Sequence, residues 1–312
     1  MKIRRTVLPA LALAAVMTFS GCAGIRDLLE RAVRTDWKTA ASEERTAIDL
    51  WEAAAHDEMA GAELDIEAIE EEANRPVKAE EVEDILELEP GTALEPQEDA
   101  DRFFAAFDIP EDVFAFMNGR SFKEGGQIMR TALKYLRVLY VDYEGIVRVG
   151  ELVVNAAAAD AFLGVMRELY AYGYPIHKMV LVDNYYDLPS EMPWLDRDGG
   201  SDEASIEDNN TSAFNYRMAS NNAASLSNHA LGTAIDLNPY ENPYVNPDGT
   251  VDGPTGSAPY ADRTGASMEN HMMSHEDFAV ITFKKYGFSW GGDWAPEKDY
   301  QHFDWNGAVL YE

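Results

Sequence analysis

The stretch Ser227-Asn-His229-Ala-Leu-Gly-Thr-Ala-Ile-Asp236 decides how this chain is interpreted, together with Asp299-Tyr-Gln-His302 near the C-terminus. The imidazoles of His229 and His302 and the carboxylate of Asp236 supply three ligands, the number that a catalytic zinc takes from protein, with a fourth position left for water. Asp299 adds a second carboxylate close to His302, where it would handle the proton of that water. The pattern predicts a hydrolase that holds one Zn²⁺ per chain.

Three segments resemble, in the same order, those of the VanY-type D-alanyl-D-alanine carboxypeptidases, a family grouped with the L-alanyl-D-glutamate endopeptidases and the hedgehog fold. They are Asn209-Asn-Thr-Ser-Ala-Phe-Asn-Tyr-Arg217, Ser225-Leu-Ser-Asn-His-Ala-Leu-Gly-Thr-Ala-Ile-Asp-Leu-Asn-Pro239, and Gly287-Phe-Ser-Trp-Gly-Gly-Asp-Trp294 followed by Asp299-Tyr-Gln-His-Phe303. The resemblance covers roughly residues 103–312. It implies a zinc peptidase with a small antiparallel sheet flanked by helices, of the hedgehog and DD-peptidase type.

The resemblance also implies roles for individual side chains. Arg217 stands where the family has an active-site arginine, and it would stabilise the oxyanion beside the metal. Trp290 and Trp294 lie in a glycine-rich segment that resembles the family's cleft wall, so we expect one of the two to line the cleft and assign the contact with substrate to Trp290. For Ser227 we expect a hydrogen bond to substrate or to a metal ligand, because no base stands at a recognisable spacing for a nucleophile.

The N-terminus carries the features of an export signal. Lys2, Arg4 and Arg5 precede an apolar run over residues 7–19, which is short for a membrane-spanning helix. The run ends in Phe-Ser-Gly-Cys22, which resembles a lipobox and contains the only cysteine of the chain. We therefore predict a lipoprotein signal peptide over residues 1–21, lipidation of Cys22, and an extracytoplasmic, lipid-anchored protein. The anchor would lie in the outer membrane if the source has one, and otherwise in the outer face of the cytoplasmic membrane.

The charge of the chain is unevenly distributed. Residues 23–110 contain 26 acidic and 8 basic side chains, which gives −18 of the total net charge of −31. Such a composition, with few aromatic residues before Phe103, predicts an acidic stalk over residues 22–102 that is partly helical or disordered, and a peptidase domain over residues 103–312. The acidic balance argues against a nucleic-acid partner, and we expect a monomer.

Patterns within residues 103–312 predict an α+β fold. We expect helices over residues 110–117, over 156–170 with Asn155 as its cap, and after a capping box that begins at Ser274. Strands are expected over residues 136–141, 151–154, 179–182 and 233–238. The segments 188–210 and 242–265 are predicted to be long loops, and Asp299 is predicted to lie in a loop before His302.

The predicted function is hydrolysis of peptidoglycan stem peptides, with removal of a terminal D-alanine. One alternative is an endopeptidase that cuts an L-alanyl-D-glutamate bond or a cross-link, because the motifs do not fix the scissile bond. The other is a non-catalytic, zinc-stabilised cell-wall binding module. Asp299 and Arg217 argue against a pure binder, since zinc binding alone requires neither.

Overall fold

The computed structural model describes residues 75–97, 100–186, 200–219 and 222–312. The predicted signal peptide, Cys22 and most of the predicted stalk therefore lie outside the described residues. Residues from Pro76 to Glu312 form one compact unit. Among the described residues, no helix combines the length and the apolar character needed to cross a membrane.

The described residues contain four α-helices and eleven strands. The helices are α1 (Glu111–Met117), α2 (Ala159–Tyr172), α3 (Gly200–Glu207) and α4 (Phe278–Lys285). The strands are β1 (Ala105–Phe107), β2 (Leu133–Val141), β3 (Val147–Asn155), β4 (Met218–Ala219), β5 (Asn222–Leu226), β6 (Ala234–Asp236), β7 (Tyr244–Val245), β8 (Val251–Asp252), β9 (Phe288–Trp290), β10 (Lys298–Asp299) and β11 (His302–Trp305). The predicted α+β class with small antiparallel sheets is confirmed.

The long hairpin of β2 and β3 forms the centre of the fold, and β1 adds to its β2 edge. Its two faces are buried in different clusters. Leu136 pairs with Leu152 in the larger cluster, whereas the next pair, Tyr135 and Val153, belongs to the smaller one. Because successive side chains point to opposite faces of a strand, a hairpin buried on both sides reads as a continuous apolar run rather than as an alternating one.

A second three-stranded sheet, in the order β6-β11-β9, carries Asp236 and His302, two of the three predicted metal ligands. One face joins the larger core through Phe303, which pairs with Ile235 on one side and with Trp290 on the other. The opposite face carries polar side chains, because Asp236 and His302 are directly paired across β6 and β11. The alternation of β6 thus separates the core from the candidate site.

The compact unit begins earlier than the predicted boundary at residue 103. The amide of Leu94 donates to Val147 O at 2.8 Å and that of Val149 donates to Thr92 O at 3.0 Å, so this segment extends the edge of β3. Val82, Ile85 and Leu94 are buried in the larger core. Acidic residues dominate the composition of this segment, so composition alone predicted a stalk. The few apolar side chains that hold the segment in place were too sparse to change that prediction.

The predicted strand over residues 179–182 is wrong, because a side chain takes the place of a neighbouring strand. The carboxamide of Asn210 accepts from Val180 N at 2.9 Å and donates to Val180 O at 2.9 Å. The segment then turns into a short 3₁₀ helix, Val182–Tyr185.

Other predicted elements differ mainly at their ends. Helix α2 begins at Ala159. Asn155, predicted to cap this helix, is the last residue of β3. Asp277 caps α4 by accepting from Ala279 N at 2.8 Å, so the cap lies after Ser274. The predicted loop over residues 188–210 contains α3, and the predicted loop over 242–265 contains β7 and β8.

Candidate metal and catalytic site

Three predicted metal ligands converge. His229, Asp236 and His302 are 2%, 4% and 8% exposed, and a ligand atom from each lies within 4.8 Å of those of the other two. His302 Nδ1 lies 3.0 Å from Asp236 Oδ1 and 3.2 Å from His229 Nε2, and His229 Nε2 lies 3.3 Å from Asp236 Oδ2. The structure thus brings the three predicted ligands into one cluster.

The outer hydrogen bonds of the two imidazoles decide which nitrogen faces the cluster. His229 Nδ1 lies 2.6 Å from Ala213 O, and His302 Nε2 lies 2.8 Å from Asp304 Oδ1. A carbonyl and a carboxylate only accept hydrogen bonds, so each of these nitrogens carries the proton in a neutral ring. The inward nitrogens then present lone pairs toward Asp236. Such outer partners are a usual feature of metal-binding histidines.

Three inward acceptors within 3.3 Å of one another require a positive charge between them. Burial lowers the pKa of His302, but the carboxylates of Asp236 and Asp304 outweigh burial and raise this pKa well above its usual value, so the surroundings favour a positive charge here. Burial likewise opposes ionisation of Asp236, yet His229 and His302 hold its pKa below the usual range. A divalent cation satisfies the same three acceptors, so the donor set fits a zinc ion.

Gly232 positions the turn that carries His229. It adopts a φ of +70°, and its carbonyl accepts from Asn155 N at 2.7 Å. A Cβ at this position would lie 2.5 Å from that nitrogen. The approach of the turn to the end of β3 therefore requires a glycine.

Asp299 lies on β10, which pairs with β7, and not in a loop as predicted. Its Oδ1 is buried and makes no hydrogen bond within the described part of the chain. Burial raises the pKa of this carboxyl to about 7, and the charge of Asp236 adds to the effect, whereas the two histidines lower it. An unsatisfied carboxylate oxygen beside a cation site is suited to accept a proton.

Arg217 joins the site from the segment that precedes β4. Its guanidinium contacts Asp202 on α3, with Nη2 at 2.8 Å from Oδ2, and its Nε is buried with no hydrogen-bond partner among the described residues. The charge of Asp202 raises the pKa of Arg217 most, burial opposes it, and Asp236 and Asp299 contribute further. The candidate oxyanion group and the candidate base therefore each bring one buried, unsatisfied polar atom to the site.

Of two further predicted site residues, Trp290 has another role, whereas Ser227 makes one of the two hydrogen bonds expected of it. Trp290 is 1% exposed in the core, with its indole N–H donating to Tyr300 O at 2.8 Å, so it offers no surface to a substrate. Trp294 flanks the site instead, with its ring 5.3 Å from that of His302. The hydroxyl of Ser227 accepts from His229 N at 3.2 Å, which supports a ligand's backbone.

The sequence analysis missed two supporting features. Asp304 accepts from His302 and from Asn228 Nδ2, the latter at 2.8 Å, and the alternation of β11 could have placed it on the same face as His302. The backbone of residues 212–217 contacts the segments that carry two of the three clustered residues: Ser212 N donates to Asp236 O and Asn215 N to His229 O, both at 3.2 Å. No sequence pattern marks these backbone contacts.

Residues 220–305 match the family model described as D-alanyl-D-alanine carboxypeptidase. The match confirms the resemblance seen in the sequence and supports a peptidase role. It includes the three clustered ligands and Asp299, whereas Arg217 and Asp202 lie before it. No curated protein and no solved structure matches the chain.

Proposed function

We propose that this protein is a zinc-dependent peptidase that acts on peptidoglycan stem peptides, and that it removes a terminal D-alanine as a D-alanyl-D-alanine carboxypeptidase. The convergence of His229 Nε2, His302 Nδ1 and the Asp236 carboxylate carries the proposal, because their outer hydrogen bonds leave three acceptors facing one another. The family match over residues 220–305 supports the peptidase chemistry.

When bound, a zinc ion would polarise the scissile carbonyl and lower the pKa of a water toward neutrality. Asp299 takes the proton from the attacking water, because its Oδ1 has no competing partner and burial keeps its proton affinity high. The same carboxyl then returns the proton to the leaving amine. Removal of such a base costs roughly 10²–10⁴-fold in rate.

Arg217 serves the oxygen on which negative charge develops. Its buried Nε has no partner, so a hydrogen-bond donor remains for an oxyanion. The positive charge persists at any working pH, because the carboxylates around the guanidinium, Asp202 above all, raise its already high pKa. This role rests on the geometry and on the sequence resemblance, since Arg217 lies outside the matched region.

The test is incubation of the full chain with defined pentapeptide muropeptides and zinc, followed by mass measurement of the products. Loss of one alanine residue is expected. Asp299→Asn, which keeps the shape of the side chain, should abolish most turnover while zinc stays bound. Cleavage elsewhere in the stem would support the endopeptidase alternative. Muropeptides that bind equally well to both forms and remain intact would establish the binding module instead.

We also propose that a lipid on Cys22 tethers the enzyme to the cell envelope. The proposal rests on the charged start, the short apolar run and the lipobox-like Phe-Ser-Gly-Cys22. Cys22→Ser should release the protein from the membrane fraction, because a chain without acyl groups loses its apolar anchor. Undiminished membrane association of this variant would contradict the proposal.

A further inference from the structure

The arginine of the site is influenced by three carboxylates but is in direct contact with one of them. Asp202 contacts the guanidinium of Arg217 directly, and the charges of Asp236 and Asp299 also act on it. Guanidinium–carboxylate hydrogen bonds are strong because both groups are charged. If the guanidinium were not held elsewhere, either of the other two carboxylates would attract it.

We propose that Asp202 is a positioning residue that keeps the guanidinium of Arg217 away from the metal-binding and proton-accepting carboxylates. Pairing of Arg217 with Asp236 would compete with the metal ion for that ligand. Pairing with Asp299 would occupy the oxygen that lacks a partner. A third carboxylate on α3 leaves the metal ligand, the base and the oxyanion donor each free for its own task. The inference rests on the proposed function and assigns it a residue outside the matched segment.

Both oxygens of Asp202 are engaged, which fixes the direction of its pull. Oδ2 contacts Arg217 Nη2 at 2.8 Å, and Oδ1 accepts from Asn215 Nδ2 at 3.2 Å. Asn215 is 1% exposed, and its backbone N–H donates to the backbone carbonyl of His229. Asp202, the partner of Arg217, is thus linked through Asn215 to the backbone of His229. This link fixes the position of α3 relative to the turn that carries His229.

The remaining donor of Arg217 agrees with this role. Because Asp202 contacts one nitrogen, the buried Nε has no acceptor among the residues that the structure describes. A purely structural ion pair gains most when the carboxylate engages two nitrogens of the fork. The single contact holds the group in place and keeps one donor for substrate.

The experiment is a double-mutant cycle in the full chain, with Asp202→Asn made in the parent and in an Arg217→Gln background. Zinc affinity is measured by competition with a chromogenic chelator, and kcat and KM are measured with a pentapeptide muropeptide. In the parent, Asp202→Asn should lower zinc affinity about 10-fold, or kcat on the order of 10²-fold with a smaller change in KM. In the Arg217→Gln background it should change neither. Asp202→Glu should recover most of the loss, and Glu203→Gln on the same helix is the control for the charge change.

Equal losses in both backgrounds would show that Asp202 acts only through structure, and unchanged zinc affinity and kcat in the parent would also overturn the inference. Circular dichroism shows whether Asp202→Asn alone still folds. If it does not, the double variant with Arg217→Gln is compared with Arg217→Gln alone, and a difference in zinc affinity between these two overturns the inference. The zinc measurement needs no turnover. A parent chain that binds zinc but cleaves no muropeptide therefore counts against the proposed function and not against the positioning role.

Discussion

Gly232→Ala tests whether the position of the turn that carries His229 depends on its close approach to the end of β3 in the central hairpin. An alanine at the observed φ of +70° costs about 1–2 kcal/mol. Its Cβ would also lie 2.5 Å from the backbone nitrogen of Asn155, at the end of a paired strand that has little freedom to move. The turn must shift, and the hydrogen bond from Asn155 N to Gly232 O, worth about 0.5–1.5 kcal/mol, is lost. The free energy of unfolding should therefore fall by about 1.5–3.5 kcal/mol.

Gly249→Ala is the matched control, because Gly249 has a φ of +84° but no atom within 4 Å of a built Cβ. It should show only the conformational cost of about 1–2 kcal/mol. Both variants are compared with the parent by urea denaturation in the presence of a chelator, so that metal binding does not contribute. Zinc affinity, measured separately, should fall only in Gly232→Ala, since the displaced turn carries His229. Equal destabilisation of the two variants, with equal zinc affinity, would refute the reasoning.

Three further substitutions probe other contacts. Gly291→Ala places a Cβ 2.4 Å from the carbonyl oxygen of Asp299; turnover should fall on the order of 10²-fold with zinc content unchanged, and loss of zinc would contradict the role of Asp299 outside the ligand set. Asp304→Asn removes the carboxylate that orients His302, so a chelator competition should show zinc affinity lowered about 10–100-fold, and unchanged affinity would exclude that role. Burial raises the pKa of Asp183 from 3.8 to about 6. Ionised Asp183 therefore lowers the free energy of unfolding by up to about 3 kcal/mol above pH 6. This destabilisation disappears as the pH falls toward 3.8. Asp183→Asn should therefore stabilise the chain at pH 7 in thermal denaturation, with a gain that disappears near pH 4, and a pH-independent effect would contradict this.

The candidate metal site could be predicted from sequence because its spacing encodes local geometry. Gly232 permits the tight turn after His229, and the alternation of β6 separates Asp236 from the core residues Ile235 and Leu237. The pairing of Asp236 with His302 across two strands could not be read from spacing. The resemblance to the family's motifs nevertheless assigned both residues to one site. Asp299 lies where the charges of Asp236, His229 and His302 act on its carboxyl, although its strand was missed because β10 has only two residues.

Features that arise from tertiary contacts could not be predicted. Asn210 satisfies the backbone of Val180 through its side chain, so an apolar run that reads as a strand is not one. Trp290 has the sequence surroundings of a cleft residue, but the pairing of β9 with β11 directs its ring into the core. The ion pair between Asp202 and Arg217 joins α3 to the site, and α3 lies in a segment whose polar composition predicts a loop.

Calorimetric titration of the metal-free full chain with zinc tests the central claim most directly, because every proposed role depends on His229, Asp236 and His302 holding one ion. We predict one tight zinc site per chain, and loss of most of the binding in both His229→Ala and His302→Ala, since a site with three protein ligands has none to spare. Full zinc occupancy in both variants would contradict the account.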